Sequence, residues 1–514
     1  MGRRLASALI DACRRFGNSH ALSDEHGALT YQGLLVRSQA VADTLRRAGV
    51  AHGEPVHVQV SNTALDLAAL IGAWDAGAVA VPVHRSTPAA VAARLRERTG
   101  ARWRLDLAPA EAMALGTSGP VASPGSGLAR MTDAPPPARA LLDDAALVIF
   151  TSGSTGNPKG VVIAHDAFAG KIEQIDRLLA FGAGERTLLV LNLTFSFGLW
   201  VSVLTLLRGG TLVMRPKFDP AAFAATLVDE RIDRVAVVPT MMRALLAAQG
   251  GTDALAAVQR AGHLRQLLLG GESLGRSLAD TLRGQLATTR LVDIYGLTES
   301  ATCDFFAFPE DYALHPGCIG RASPNVAFRI TGPDGSPVSP GEVGELRLRS
   351  PYLMRGYLDE PELTAATLAN GWLGTGDLAR TVDAEGAVVE LMGRSKELIV
   401  RAGNKVTPAE IEQALSAHPD VAAAMAVGLP DPVMGERIHA LVVPRADATL
   451  DVGQLPAFLD GRIERFKRPD VYYLAPELPL GRTGKADRGQ MRALIAAGTL
   501  TALPQALTKP ETPP

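Results

Sequence analysis

Apolar positions recur at helical spacing in the early stretch ALTYQGLLVRSQAVADTLRRAGV, where Leu34, Leu35, Ala40, Val41 and Leu45 share one face. The period then changes. EPVHVQV alternates valine with other residues, which predicts a strand. Further along, RVAVVP, RQLLLGG and RLVDIYG are short apolar runs that stop at Pro or Gly, with helical stretches between them. That is the pattern of parallel strands covered on both faces in an α/β fold. Ligands of open α/β sheets gather outside the carboxyl ends of such strands, and GGES and YGLTES stand at those ends.

The most membrane-like stretch, LNLTFSFGLWVSVLTLLRGG, carries no charge from Leu191 to Leu207. It contains Asn, Thr, Ser and Gly and falls short of the ~20 residues a span needs, so it is expected to be buried core. At the N-terminus, basic residues are followed by a broken apolar pattern, which predicts an amphipathic helix rather than an export signal. The Ala-, Pro-, Gly- and Ser-rich run PAEAMALGTSGPVASPGSGLARMTDAPPPARA reads as a surface excursion. A boundary is expected near GRSKELIVRAGNKVTPAEIEQAL, where a charged strip gives way to a fresh helix. There Thr407, Pro408 and Glu410 have the spacing of an N-cap, a first-turn proline and a capping-box glutamate. The final LPQALTKPETPP reads as a frayed tail.

Composition narrows the function. The chain has 514 residues, 47% of them apolar and 20% charged, with net charge −2. That suits several packed units and disfavours both a disordered chain and a nucleic-acid binder. Three widely spaced cysteines, Cys13, Cys303 and Cys318, lack any C-x-x-C pairing and fit a reducing, cytoplasmic setting better than a disulfide or zinc framework.

The segment FTSGSTGNPKGVVIAH packs Gly, Ser, Thr and a lysine into one loop, rich in small donors suited to a phosphate. It is not a Walker loop, since Pro158 precedes Lys159 and Gly160 follows it. The other candidate, RTGKAD, has Ala486 where a magnesium-binding hydroxyl would be required.

In order, the chain carries TSGSTGNPKG, GGES, YGLTES, GELRLRSPYLMRGY, TGDLA, GRSKELIVRAGNKV and GRTGKADR. This series resembles the adenylate-forming superfamily of acyl-CoA synthetases, peptide-synthetase adenylation domains and luciferases, over nearly the whole chain. The resemblance implies a large N-terminal domain over 1–392, with parallel sheets, helices and a β-rich subdomain. A hinge at 393–396, a small mobile α+β domain over 397–500 and a tail from 501 would follow. It also implies two half-reactions. A carboxylate attacks the α-phosphorus of ATP and expels pyrophosphate, and a thiol then displaces AMP from the acyl-adenylate.

What the resemblance implies for single residues can be set against that chemistry. Thr151, Ser152, Gly153, Ser154, Thr155, Gly156 and Lys159 would hold the β- and γ-phosphates, where the leaving group gathers charge. Gly271 and Glu272 would line the nucleotide site. Tyr295 would stack on adenine, Asp293 accept from its amino group, Thr298 bond the α-phosphate and Glu299 bind Mg²⁺. Asp377 would accept from the ribose hydroxyls, with Arg394 beside it. Lys485 would bridge the carboxylate and the α-phosphate. Lys396 would be the hinge, and Gly403 would line the pantetheine tunnel.

Amino-acid-activating relatives place an aspartate where this chain has LTFSFGLW, so an α-amino acid is disfavoured. The expected acyl lining is Phe197, Gly198, Leu199, Val238, Gly270, Gly296 and Cys303, all uncharged, which favours an aliphatic or aromatic acid. A Trp200 turned into the channel would favour shorter acids; the chain length of the acid stays open. No base is recognisably paired with Cys303, which disfavours covalent catalysis through it. The expected cosubstrate is CoA, with a carrier protein acting in trans as the alternative and a non-catalytic nucleotide binder as the third. Monomer and homodimer both remain open.

Overall fold

The computed structural model describes residues 5–107, 127–151, 158–445, 448, 450–481 and 486–502. The predicted first helix spans Leu5–Phe16 and buries Leu5, Leu9, Ile10 and Cys13. The next runs Tyr31–Arg47, with the Thr30 hydroxyl oxygen accepting from the Gly33 amide at its start. Tyr31 is wholly enclosed, and its own hydroxyl donates to the Gly210 carbonyl at 2.7 Å, which ties this helix to a distant loop. The alternating valines form the strand Pro55–Val60.

Two large sheets make the N-terminal body. In the first, strands Thr211–Met214, Arg186–Leu189, Arg234–Val237, Gln266–Gly270 and Arg290–Tyr295 lie parallel in that spatial order. The same sheet continues into antiparallel strands, ending with Trp372–Thr381, Gly344–Arg349 and Ala327–Thr331. This is the expected passage from a parallel core to a β-rich part. The second sheet centres on parallel strands Pro55–Val60, Val79–His84 and Ala145–Thr151, and the last of these pairs antiparallel with Lys159–Ala164.

The dominant core lies between the sheets. Helix Ala64–Asp75 is buried nearly all round, and its Trp74 indole donates to the Ala146 carbonyl at 2.8 Å. Helix Ser196–Leu207, the uncharged stretch noted in the sequence, is buried in the same way from Gly198 to Leu206. Among the described residues, no helix is long and apolar enough to cross a membrane.

A third, five-stranded sheet carries the C-terminal part, with Val421–Asp431 and Gly435–Pro444 as its long central pair. The predicted helix runs Pro408–Ser416. Thr407 stands at the N-cap and Pro408 in the first turn as expected, but Thr407 makes no side-chain cap bond. The Thr407 methyl is packed against Gly393, where an added Cβ would stand 2.6 Å from it, and Glu410 instead accepts from the Lys467 ammonium at 2.6 Å.

Candidate active site

The two neighbouring parallel strands Gln266–Gly270 and Arg290–Tyr295 end side by side, with Gly270 opposite Ile294. Close packing explains the glycines here. A Cβ on Gly270 would meet the Ile294 carbonyl at 2.7 Å and the Phe197 ring at 3.1 Å, and one on Gly296 would meet the Cys303 amide at 2.5 Å. Phe197 is thereby set against Gly270, and Cys303 against Gly296. Phe197 stacks on Trp200 with centroids 5.6 Å apart and planes 10° off parallel, and Phe181 meets Trp200 edge-on. Trp200 is fully buried behind Phe197. Val238 and Leu199 both belong to the apolar core that Phe197 packs against, Leu199 standing two residues, about 200° of helix, round from Phe197. Gly198 packs against the Asn192 carbonyl. Burial pushes the Cys303 thiol up to about 12, so it is no ready nucleophile at neutral pH.

Beyond Gly270, Gly271 takes φ +84 and Glu272 turns to Thr240, whose hydroxyl donates to it at 2.6 Å, with Arg243 3.5 Å away.

Past the second strand, Tyr295 donates its hydroxyl to Oδ2 of Asp377 at 2.6 Å, while the Arg394 guanidinium donates to Oδ1 at 3.1 Å. Asp377 and Arg394 sit opposite each other on paired strands, which fixes that contact. Burial pushes the Asp377 carboxyl up, against the pull of Arg394. Each carboxylate oxygen retains a second lone pair, so Asp377 can still accept from a ribose. Tyr295 packs edge-on against Phe305 at 6.0 Å. Asp293 lies on the same face of its strand, and burial pushes its carboxyl up to about 7, with Arg283 opposing.

The sequence YGLTES becomes a tight 3₁₀ turn at Thr298–Ser300. Glu299 accepts from the Tyr357 hydroxyl at 2.9 Å, and its backbone carbonyl accepts from the Met354 amide at 2.7 Å. The Lys159 ammonium lies over the Tyr357 ring, 5.1 Å from its centre. Thr151 and Lys159 face each other across the neck of a hairpin. The rest of the expected phosphate loop, Ser152, Gly153, Ser154, Thr155 and Gly156, lies outside the described residues, as does Lys485.

Lys396 occupies the 3₁₀ turn Ser395–Glu397, directly after the strand that ends at Arg394. Burial, then Arg394 and Lys159, hold its ammonium below the ordinary lysine value. Two further cations thus bear on Lys396, an arrangement that attracts an anion. Arg488, just past the undescribed 482–485, is bonded to Glu397 at 3.0 Å and Glu412 at 2.7 Å. Gly403 is elsewhere. It stands with Ala402 at the exposed tip of the hairpin Ile399–Val406, both at positive φ, with open space round it. The neighbouring Arg401 bonds within the C-terminal part, to the Phe466 and Arg468 carbonyls and to Asp470.

Several of these partners were missed in the sequence. Tyr357 ends the motif GELRLRSPYLMRGY, but nothing local singles it out. Lys171 is fully buried and pairs with fully buried Asp304 at 2.7 Å. Its one sequence signal is a lysine among the core-facing positions Phe168, Ile172 and Ile175.

The donors fit a magnesium nucleotide. Mg²⁺ takes hard oxygens and is commonly held by one or two carboxylates plus phosphates, and Glu299 is a half-buried carboxylate next in sequence to Thr298, bonded by the Tyr357 whose ring carries the Lys159 ammonium.

Residues 9–358 match the family model described as AMP-binding enzyme, and residues 410–485 match that of the AMP-binding enzyme C-terminal domain. The chain is 34% identical over 479 residues to a feruloyl-CoA synthase from Amycolatopsis sp., covering 92% of this chain and 96% of that one. It is 31% identical over 515 residues to pyochelin synthase PchD from Pseudomonas aeruginosa, covering 95% and 92%. Among solved structures, an anthranilate CoA ligase, AuaEII, in complex with anthranoyl-AMP superimposes with a TM-score of 0.84 at 22% identity, over 97% of this chain and 98% of that one.

Proposed function

Since the chain belongs to the AMP-binding enzyme family, we propose that it is an AMP-forming acid–thiol ligase acting on an apolar aliphatic or aromatic carboxylic acid, with CoA as acceptor. The observation that carries this reading is the convergence of Tyr295, Asp377 and Arg394 on one side and Glu299, Tyr357 and Lys159 on the other, around the ends of two parallel strands.

In this reading Asp377 and Arg394 hold the ribose, Tyr295 flanks the adenine, and Asp293 accepts from the adenine amino group. Gly271 and Glu272 border the nucleotide. The carboxylate enters over Phe197, Val238, Gly270, Gly296 and Cys303, with Gly198 and Leu199 shaping the helix behind them. Its oxygen attacks the α-phosphorus, the acyl-oxygen-to-phosphorus bond forms and the bond to pyrophosphate breaks. Thr151, Ser152, Gly153, Ser154, Thr155, Gly156 and Lys159 stabilise the departing charge, Thr298 holds the α-phosphate, and Lys485 draws carboxylate and phosphate together. Magnesium, when bound by Glu299 and the phosphates, would lower the charge that the attacking carboxylate must approach.

For the second half-reaction, the domain over 397–500 turns about Lys396. Lys485 withdraws and the hairpin tip at Gly403 comes to the thiol path, where the sulfur attacks the adenylate carbonyl and AMP leaves. That Gly403 is exposed while Arg488 bonds Glu397, three residues from Arg394, supports a hinge between two working arrangements.

The test is pyrophosphate release over a panel of aliphatic, aryl and amino acids with Mg-ATP, with and without CoA, following AMP and acyl-CoA by mass spectrometry. Release with an apolar acid plus acyl-CoA supports the ligase. Adenylate that accumulates and ignores CoA would favour the second reading, transfer to the phosphopantetheine of a carrier protein in trans. No release with any acid would refute both.

A further inference from the structure

Lys171 occupies a core position on helix His165–Leu179, yet carries a charge. Its ammonium lies 2.7 Å from Oδ1 of Asp304, and both side chains have zero solvent exposure. The other carboxylate oxygen of Asp304 accepts from the Ser300 hydroxyl. Asp304 is clamped through its backbone as well, donating its amide to the Tyr295 carbonyl and accepting from the Ser323 amide, each at 2.7 Å.

These contacts close a short loop whose backbone is strained. Ala301 has φ +64 and Thr302 has φ +135, conformations that neither alanine nor a β-branched residue adopts readily. Such residues persist only where their surroundings over-determine them. Here the surroundings are the Tyr295–Asp304 backbone bond, the Ser300–Asp304 bond and the ion pair behind it. Immediately before the strained residues stand Thr298 and Glu299.

A buried ion pair adds little net stability, because the cost of desolvating two charges offsets their attraction, and apolar residues of similar volume commonly serve as well. Neither group is exposed, so neither touches a ligand. What the pair can do is select one geometry for the loop.

Resting on the function read above, we propose that Lys171 and Asp304 are positioning residues for adenylation, holding the Thr298–Thr302 turn so that Thr298 and Glu299 face the triphosphate. The pair acts through Ser300. It leaves acyl transfer to the thiol to other residues.

The test compares wild type with Lys171→Met/Asp304→Leu, which fills the same space without charge, and with Ser300→Ala, which leaves the pair but cuts its link to the turn. Four quantities are measured: melting temperature, ATP affinity by calorimetry, kcat and KM of pyrophosphate release, and acyl transfer to CoA from supplied acyl-adenylate. The double variant is expected to melt near wild type, bind ATP more weakly and lose about a hundred-fold in adenylation kcat. Its transfer from supplied adenylate should hold. Ser300→Ala should move the same way by a smaller factor. Wild-type adenylation kinetics in a folded double variant would overturn the proposal, and so would equal loss in both half-reactions. If the double variant does not fold, Ser300→Ala decides, and unchanged ATP affinity and kcat there overturn it. A wild type inactive on every acid would refute the ligase reading instead, while calorimetry would still report on the pair.

Discussion

Tyr295 and Asp377, 82 residues apart, share a 2.6 Å hydrogen bond that joins the end of a parallel strand to the antiparallel part of the same sheet. The bond sets the distance between the proposed adenine and ribose contacts. Tyr295→Phe removes it and leaves a buried carboxylate with one donor fewer. Hydrogen bonds to charged groups contribute about 1.5–3 kcal/mol, so KM for ATP should rise about tenfold or more while the KM for the acid holds. Steady-state pyrophosphate release at varied ATP checks this, and an unchanged ATP dependence would remove Asp377 from the proposed site.

Asp293 predicts a pH effect of defined sign. Its carboxyl rises from an ordinary 3.8 to about 7 on folding. Between those values the unfolded chain has released a proton that the native state keeps, so this group's contribution to stability falls as pH rises and levels off above pH 7. At 1.36 kcal/mol per unit the loss is at most about 4 kcal/mol. Asp293→Asn should therefore raise the melting temperature relative to wild type, more at pH 8 than at pH 5. Asparagine keeps an acceptor oxygen, so ATP binding should survive.

Phe197 is partly buried and backed by Trp200. Phe197→Ala opens space at the acyl end without touching the nucleotide contacts. The ratio of kcat/KM for a bulky acid to that for a short one should rise about tenfold or more, in keeping with the worth of one or two methylenes in an apolar pocket. A competition assay with two acids reads the ratio directly, and a constant ratio would move the acid elsewhere.

Lys396 and Lys485 should separate the half-reactions. Lys396→Pro fixes a backbone angle at the proposed hinge, and is expected to spare pyrophosphate release while blocking acyl-CoA formation. Lys485→Ala should do the reverse, lowering adenylation about 10²–10³-fold and sparing transfer from supplied acyl-adenylate. A Lys396→Pro enzyme that completes thioester formation normally would dispose of the hinge.

Much of this architecture was legible because local chemistry repeats with the period of the element. The helix Tyr31–Arg47 and the strands ending at Gly270 and Tyr295 declared themselves through spacing and terminal glycines. Contacts made across sequence were not. Nothing near Tyr357 foretells its bond to Glu299, and Lys171 meets Asp304 across 133 residues. Thr407 does stand at the N-cap, but its capping bond is absent for the same reason, since its methyl packs against a tertiary neighbour, Gly393. Charge pairing and close packing depend on the assembled fold, whereas period and turn chemistry are written locally.

The three cysteines offer a practical consequence. All are buried, and burial pushes Cys13 and Cys303 up to about 12 and Cys318 up to about 11, so little thiolate is present at neutral pH. The native protein is thus a quiet background for maleimide dyes. Cysteines placed at the exposed Leu314 and Val433, one on each part of the chain, would carry a donor and an acceptor fluorophore. Energy transfer between them would then report whether the proposed turn about Lys396 takes place within a catalytic cycle.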